Sequence, residues 1–197
     1  MWRGRLVFVT PIVLASGSPR RRDLLEGLGL TFAVEPAEVD ERPRAGETPA
    51  ALVARLSSVK AQWGVDRHPG ALVIAADTVV VVDGRGLGKP VDAAEGARFL
   101  VALAGRTHSV LTGHTLARDS RCASVTVRTE VTFRELDPAE IGRYVGTGEG
   151  LDKAGGYAIQ GRGAALVERV EGCYFNVVGL SLSTVVCLAR RLGVALV

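Results

Sequence analysis

Cysteine, histidine and lysine are scarce in this sequence, and each shortage narrows what the protein can be. Three cysteines in 197 residues, Cys122, Cys173 and Cys187, are odd in number and far apart. They form neither a CxxC pair nor a Cys/His ligand set, so a disulfide framework and a zinc ribbon are excluded. Free and mostly buried thiols in a reducing, cytoplasmic compartment are the expectation. The three histidines, His68, His108 and His114, also lack ligand spacing. His108 and His114 could meet across a turn, but nothing else supports a metal role for them. No stretch is long enough to span a bilayer. No Lys/Arg run exceeds Arg20-Arg21-Arg22, which argues against a nucleic-acid-binding stripe. The fingerprints GxGxxG, GxxxxGK[ST], GxSxG and HExxH are all missing, which withdraws support from dinucleotide-binding, P-loop, serine-hydrolase and zincin chemistry.

What is present reads as one globular domain over residues 1–197. Hydrophobic residues make up 47% and charged residues 23%, with a mean hydropathy of +0.22. A net charge of +3 suits a small anionic substrate. Met1 to Arg5 followed by apolar Leu6 to Ala15 imitates a signal peptide. Thr10 and Pro11 interrupt the run, so a buried strand over about 6–15 is the better reading. Ser18-Pro19 then opens a helix by cap-then-proline chemistry, closed at Gly27 and Gly29. A short strand over 31–35 leads into an acidic loop. Thr48-Pro49 opens a second helix running to about Trp63, and 71–82 is nearly continuous apolar and β-branched, as a strand buried on both faces requires. A tight turn at Asp83-Gly84, a helix over about 92–104, strands near 107–118 and 122–134, and a helix over 137–145 follow. A glycine-rich loop, short strands near 156–160, 164–170 and 173–178, and a helix near 180–192 end the chain. This order gives an α/β class, with hairpins that rule out a purely parallel sheet.

Four features carry chemistry. Ser16-Gly17-Ser18-Pro19-Arg20-Arg21 sits between a strand and a helix start, where free N–H groups, hydroxyls and guanidiniums suit a phosphate. Asp77 interrupts the apolar run, and a buried carboxylate needs a cation, a metal or hydrogen bonds; Glu38, Asp40 and Glu41 nearby offer further carboxylates. Only three of the 24 basic residues are lysines, Lys60, Lys89 and Lys153. A chain that uses arginine almost everywhere keeps lysine where a compact ammonium serves. Finally, Gly150 to Gly161 pairs glycines with Lys153, with Tyr157 as a stacking face, and with Gln160, whose amide can read a base edge.

Leu14 to Arg21, Ala75-Ala76-Asp77-Thr78, Gly88-Lys89-Pro90, Asp152-Lys153-Ala154-Gly155 through Gln160-Gly161, and Asn176-Val177-Val178-Gly179-Leu180 together resemble the Maf family of nucleoside triphosphate pyrophosphatases. The resemblance implies an elongated mixed β-sheet flanked by helices, in two lobes with a central cleft, as in Maf and ITPase-like proteins. It implies hydrolysis between the α and β phosphates, with Mg2+ or Mn2+ as cofactor, and commonly a homodimer. It lays the family's catalytic aspartate on Asp77, its lysines on Lys60 and Lys89, its serine and paired arginines on Ser16, Arg20 and Arg21, and its acidic loop residue on Glu41. Asp77 and Glu41 are then the expected metal ligands, and Ser16, Ser18, Arg20, Arg21, Thr78, Lys153 and Gln160 the substrate contacts. The Asp-Lys-Ala-Gly…Gln-Gly version resembles the branch acting on dTTP, UTP and modified pyrimidine nucleotides, with Arg20, Thr78 and Gln160 tied to substrate choice. A nucleotide-binding regulator of septum formation and a pyrophosphatase for altered purines such as ITP or XTP are the alternatives. Ser181 stands where the family usually has proline, and the stretch before Leu14 is longer than usual.

Overall fold

A computed structural model of the chain describes residues 10–197. Residues 6–9 of the first expected strand lie outside the described residues. The elements run β1 (Ile12–Leu14), α1 (Pro19–Glu26), β2 (Ala33–Val34), α2 (Pro49–Arg67), β3 (Leu72–Val82), β4 (Arg85–Leu87), α3 (Ala93–Leu103), β5 (Thr107–Arg118), β6 (Arg121–Phe133), α4 (Pro138–Val145), β7 (Val167–Glu171), α5 (Tyr174–Val178) and α6 (Leu182–Arg191). One mixed sheet has the order β2-β1-β3-β5-β6-β7, with β4 pairing β3 off that path. β1 is parallel to β2 and β3, and the remaining pairs are antiparallel.

The two edges of β3 are treated differently. One edge pairs with β5 from Val73 to Val81. The other pairs with β1 at Leu72–Ile74 and with β4 at Val80–Val82. Between those two segments, residues 75–79 have no strand beside them on that edge among the described residues. The gap divides the sheet into two lobes, and Asp77 and Thr78 stand in it.

Strand alternation decides what each side of β3 meets. Leu72, Ile74, Ala76, Val80 and Val82 belong to the main core with Leu25 of α1, Leu100 of α3 and Leu188 of α6. Val73 and Ala75 belong to a smaller cluster with Ala61 of α2. By the same parity Asp77 faces α2, and Thr78 faces α1. Helix α2 comes close because Gly113 of β5, paired with Asp77, carries no side chain: a Cβ there would lie 2.1 Å from the Val53 carbonyl oxygen. Lys60, two helical turns beyond Val53, is thereby brought over Asp77.

Several expectations need correction. Helix α2 runs on to Arg67 through Gly64, which packs against Val73; the glycine serves close approach and does not break the helix. The strand expected over 31–35 shrinks to Ala33–Val34. No strand forms over 156–160, where a 3-10 turn at Ala154–Gly156 is followed by irregular chain. The segment 164–170 begins as a 3-10 turn, Arg162–Leu166, before β7. The segment 173–178 is helical, since this conformation lets the buried Asn176 Nδ2 donate to the Val110 carbonyl and to Thr129 Oγ1, and tertiary context overrides propensity. Ser18 caps α1 only in position, with no side-chain capping bond. The three thiols are free, but Cys122 and Cys187 are exposed and Cys173 is half-buried, because the first two lie on outward faces of β6 and α6. His108 and His114 sit on one strand with separate partners: His108 Nε2 bonds the Tyr157 hydroxyl at 2.8 Å, and His114 Nε2 accepts from the Ser181 N–H at 2.9 Å.

Candidate active site

The sheet gap opens into a cleft of about 910 Å³ whose walls include Ser16, Arg20, Arg21, Glu41, Lys60, Asp77, Thr78, Lys89, Lys153 and Gln160. Ser18 lines it as well. Segments as far apart in the chain as Ser16 and Gln160 are thus collected on one surface, including all three lysines. Lys60 is buried, Lys153 half-buried and Lys89 exposed.

The carboxylate side of the cleft is built on Lys60. Its ammonium donates to Asp77 Oδ1 at 2.7 Å and pairs with Glu41 Oε1 at 2.7 Å. The Lys60 side chain is 9% exposed and that of Asp77 15%, so the carboxylate in the apolar strand has its compensating cation. Burial works to raise the Glu41 carboxyl, but the Lys60 hydrogen bond and the charges of Lys60, Lys89 and Arg21 outweigh it and hold it below its usual value. Glu41 is therefore ionised at neutral pH. Asp40, by contrast, pairs with Arg42 and stays exposed.

The cationic side is built on Arg21, in the first turn of α1. Its Nε donates to the Gly179 carbonyl at 2.8 Å, Nη1 to Ser16 Oγ at 3.0 Å, and Nη2 to Thr78 Oγ1 at 3.1 Å. Three of five guanidinium protons are spent on the protein, leaving two for a ligand. Burial lowers the Arg21 pKa against the support of Asp77, a cost that an anion beside it would relieve. Arg20 is likewise lowered by burial, partly offset by Asp152, 3.8 Å away. Lys153 also pairs with Asp152.

The glycine-rich loop packs against the sheet. Gly155 (φ 74°) is pressed on β3, where a Cβ would lie 2.7 Å from Val80 Cγ2; its close approach is to the sheet and not to a ligand. Tyr157 is 5% exposed, packed edge-on against His108 and Phe133, so its ring is no open stacking platform. The loop is held instead by Glu149, which accepts from the backbone N–H groups of Arg162 at 2.9 Å and Gly163 at 3.0 Å. This leaves Gln160 exposed at the rim. Glu149 was not singled out by sequence reading, because it has no local signal and acts on a segment outside its own turn; Gly179 stood in the segment Asn176–Leu180, but its carbonyl had no assigned task.

Among the described residues no group of three His, Cys, Asp or Glu side chains is placed to hold a metal. Glu41 and Asp77 do converge on one point, now held by the Lys60 ammonium. Two hard oxygen donors fit a Mg2+ or Mn2+ ion that takes its remaining ligands from phosphate and water.

Fold and site define an α/β protein with a basic cleft at a gap in its mixed sheet and two carboxylates on one wall. The chain belongs to the Maf family: the model described as Maf-like protein matches residues 11–192. The chain is 51% identical over 187 residues to a dTTP/UTP pyrophosphatase of Myxococcus xanthus, covering 95% of each chain. It is 50% identical over 184 residues to a dTTP/UTP pyrophosphatase of Pelotomaculum thermopropionicum, covering 92% of this chain and 96% of that one. Among solved structures, the Ham1 protein of Staphylococcus aureus aligns over 63% of this chain and 72% of its own at 14% identity, with a TM-score of 0.47.

Proposed function

We propose that the cleft hydrolyses nucleoside triphosphates between the α and β phosphates, releasing a nucleoside monophosphate and pyrophosphate, with dTTP and UTP as substrates. The observation that carries this reading is the opposition, across one gap, of the Lys60-held carboxylates Asp77 and Glu41 to the Ser16–Arg21 donors. One wall can activate water while the other holds a polyphosphate. High identity to relatives that act on dTTP and UTP supports the choice of substrate.

A divalent cation, when bound at Glu41 and Asp77, supplies charge neutralisation and polarises the phosphoryl oxygens. The chain's own residues do the rest. Asp77 takes the proton of the attacking water as its oxygen bonds the α-phosphorus. The bond to the αβ-bridging oxygen breaks, and its electron pair leaves with pyrophosphate. Arg20, Arg21 and Lys89 meet the charge developing there. Lys60 holds Asp77 in orientation, and Ser16 holds Arg21. Ser18, Lys153 and Gln160 are assigned to substrate contact, Gln160 at the base. Exposed free thiols agree with a reducing cytoplasm. A homodimer follows from the family resemblance and is checked by light scattering.

The test is a panel of canonical and modified triphosphates with Mg2+, scored for pyrophosphate against orthophosphate. Pyrophosphate release fastest with dTTP and UTP is expected. Preference for ITP or XTP would transfer the protein to the altered-purine reading, and nucleotide binding without turnover to the regulatory one.

A further inference from the structure

Behind Arg21 runs a chain of hydrogen bonds whose direction is dictated from its far end. Thr112 of β5, fully buried, donates its hydroxyl proton to the Asn176 carbonyl oxygen at 3.0 Å. A hydroxyl has one proton. The contact of 3.0 Å between the Thr112 and Thr78 hydroxyls is therefore one in which Thr78 donates and Thr112 accepts. With its proton committed, Thr78 Oγ1 is left as an acceptor, which is what the Arg21 Nη2 proton needs.

The anchor at the far end is equally determined. Thr129 Oγ1 donates to the Cys173 carbonyl at 3.1 Å and accepts from the Cys173 N–H at 3.2 Å. The Asn176 Nδ2 group donates to Thr129 Oγ1 and to the Val110 carbonyl, each at 3.1 Å. Reversing the Asn176 amide would set its oxygen against the Val110 carbonyl, which has no proton to give, and this contact fixes its orientation. α5 is thereby pinned to β5 and β6, and the Asn176 carbonyl is presented to Thr112. Register explains the contact: Thr78 and Thr112 are cross-strand partners on the same sheet face.

We infer that Thr112 is a positioning residue: its hydroxyl sets the polarity of Thr78 and so aims the Arg21 guanidinium at the phosphate subsite. Thr78 then serves the substrate through Arg21, and not as a proton donor to it. This rests on the proposed triphosphate site, and a binding measurement separates the two claims. The probe is inorganic tripolyphosphate, titrated calorimetrically into wild type, Thr112→Ser, Thr112→Val, Thr78→Val and the Thr112→Val/Thr78→Val double variant.

Thr112→Val is expected to weaken binding about tenfold, the effect of one lost buried hydrogen bond, while Thr112→Ser stays within about twofold of wild type because its hydroxyl is retained. In the Thr78→Val background, Thr112→Val adds less than about twofold, since the intermediary is gone. Equal weakening by serine and valine, no effect of valine, or an undiminished effect in the Thr78→Val background each overturns the inference. Should Thr112→Val not fold, Thr112→Cys, a poor donor and acceptor, replaces it with the same expectation. A wild type that binds tripolyphosphate yet releases no pyrophosphate from any triphosphate overturns the enzymatic reading and leaves the relay intact.

Discussion

Lys60 shows how one residue sets the character of its neighbours. Its ammonium touches two carboxylates at 2.7 Å, so Asp77 has a paired cation within an apolar strand and Glu41, from a distant loop, is drawn to the same point. Asp77→Asn keeps the shape of the side chain and loses its basicity. Turnover should fall on the order of a hundredfold or more, the usual worth of a general base, with an unchanged circular dichroism spectrum and melting temperature within a few degrees. Near-native pyrophosphate release by this variant would remove Asp77 from the proton-accepting role. Asp77 was legible in the sequence because a carboxylate among valines and alanines is an anomaly. Its partner was legible only indirectly, as one of three lysines among arginines. Thr112 had no such mark, since a threonine in a strand is ordinary and its importance lies in what it faces.

At the scale of elements, the packing of α2 on β5 through Gly113 is the decisive contact. Gly113→Ala would place a Cβ 2.1 Å from the Val53 carbonyl oxygen, and backbone cannot yield as a side-chain tip can. A loss of about 2–3 kcal/mol is expected from overpacking, roughly 5–10 °C in a chain of this size, together with a fall in kcat as Lys60 is lifted from Asp77. Melting curves and single-turnover assays check both; an unshifted melting temperature would mean that α2 is free to move away. Helix starts were legible in advance: Thr48 accepts from the Ala51 N–H, and Asp92 and Asp137 accept from Glu95 and Glu140. Strand or helix at 173–178 was not, because β-branched and aromatic side chains favour extended chain while α5 is selected by the Asn176 contacts. The paired loop glycines were visible in the sequence, but sequence does not say what packs on them; for Gly155 it is Val80.

Over the whole molecule, two buried histidines tie stability to pH. Burial lowers the His108 and His114 pKa values to about 4, from 6.5 in the unfolded chain. A histidine depressed in the fold leaves stability intact above the unfolded value, and stability is lost as pH falls from about 6.5 toward 4, where the unfolded chain binds protons that the native state refuses. At pH 5 the loss is about 2 kcal/mol per histidine. Urea unfolding at pH 7.5 and pH 5 should show it, and His114→Gln should flatten part of the slope; a pH-independent midpoint would mean that neither ring is buried neutral. What the sequence determined by itself is the class and the vocabulary of the candidate site: an α/β chain of mixed strands, a serine- and arginine-bearing loop before a helix, an aspartate in an apolar strand and three lysines among arginines. Local chemistry suffices for these, since caps, periodicity and anomalous polarity act over a few residues. The tertiary structure alone decided that β3 keeps an open edge at 75–79, that parity turns Asp77 toward α2 and Thr78 toward α1, and that Thr112 lies behind Arg21. Each of these depends on register and packing between segments far apart in the chain, where a shift of one residue would reverse the face on which every side chain lies.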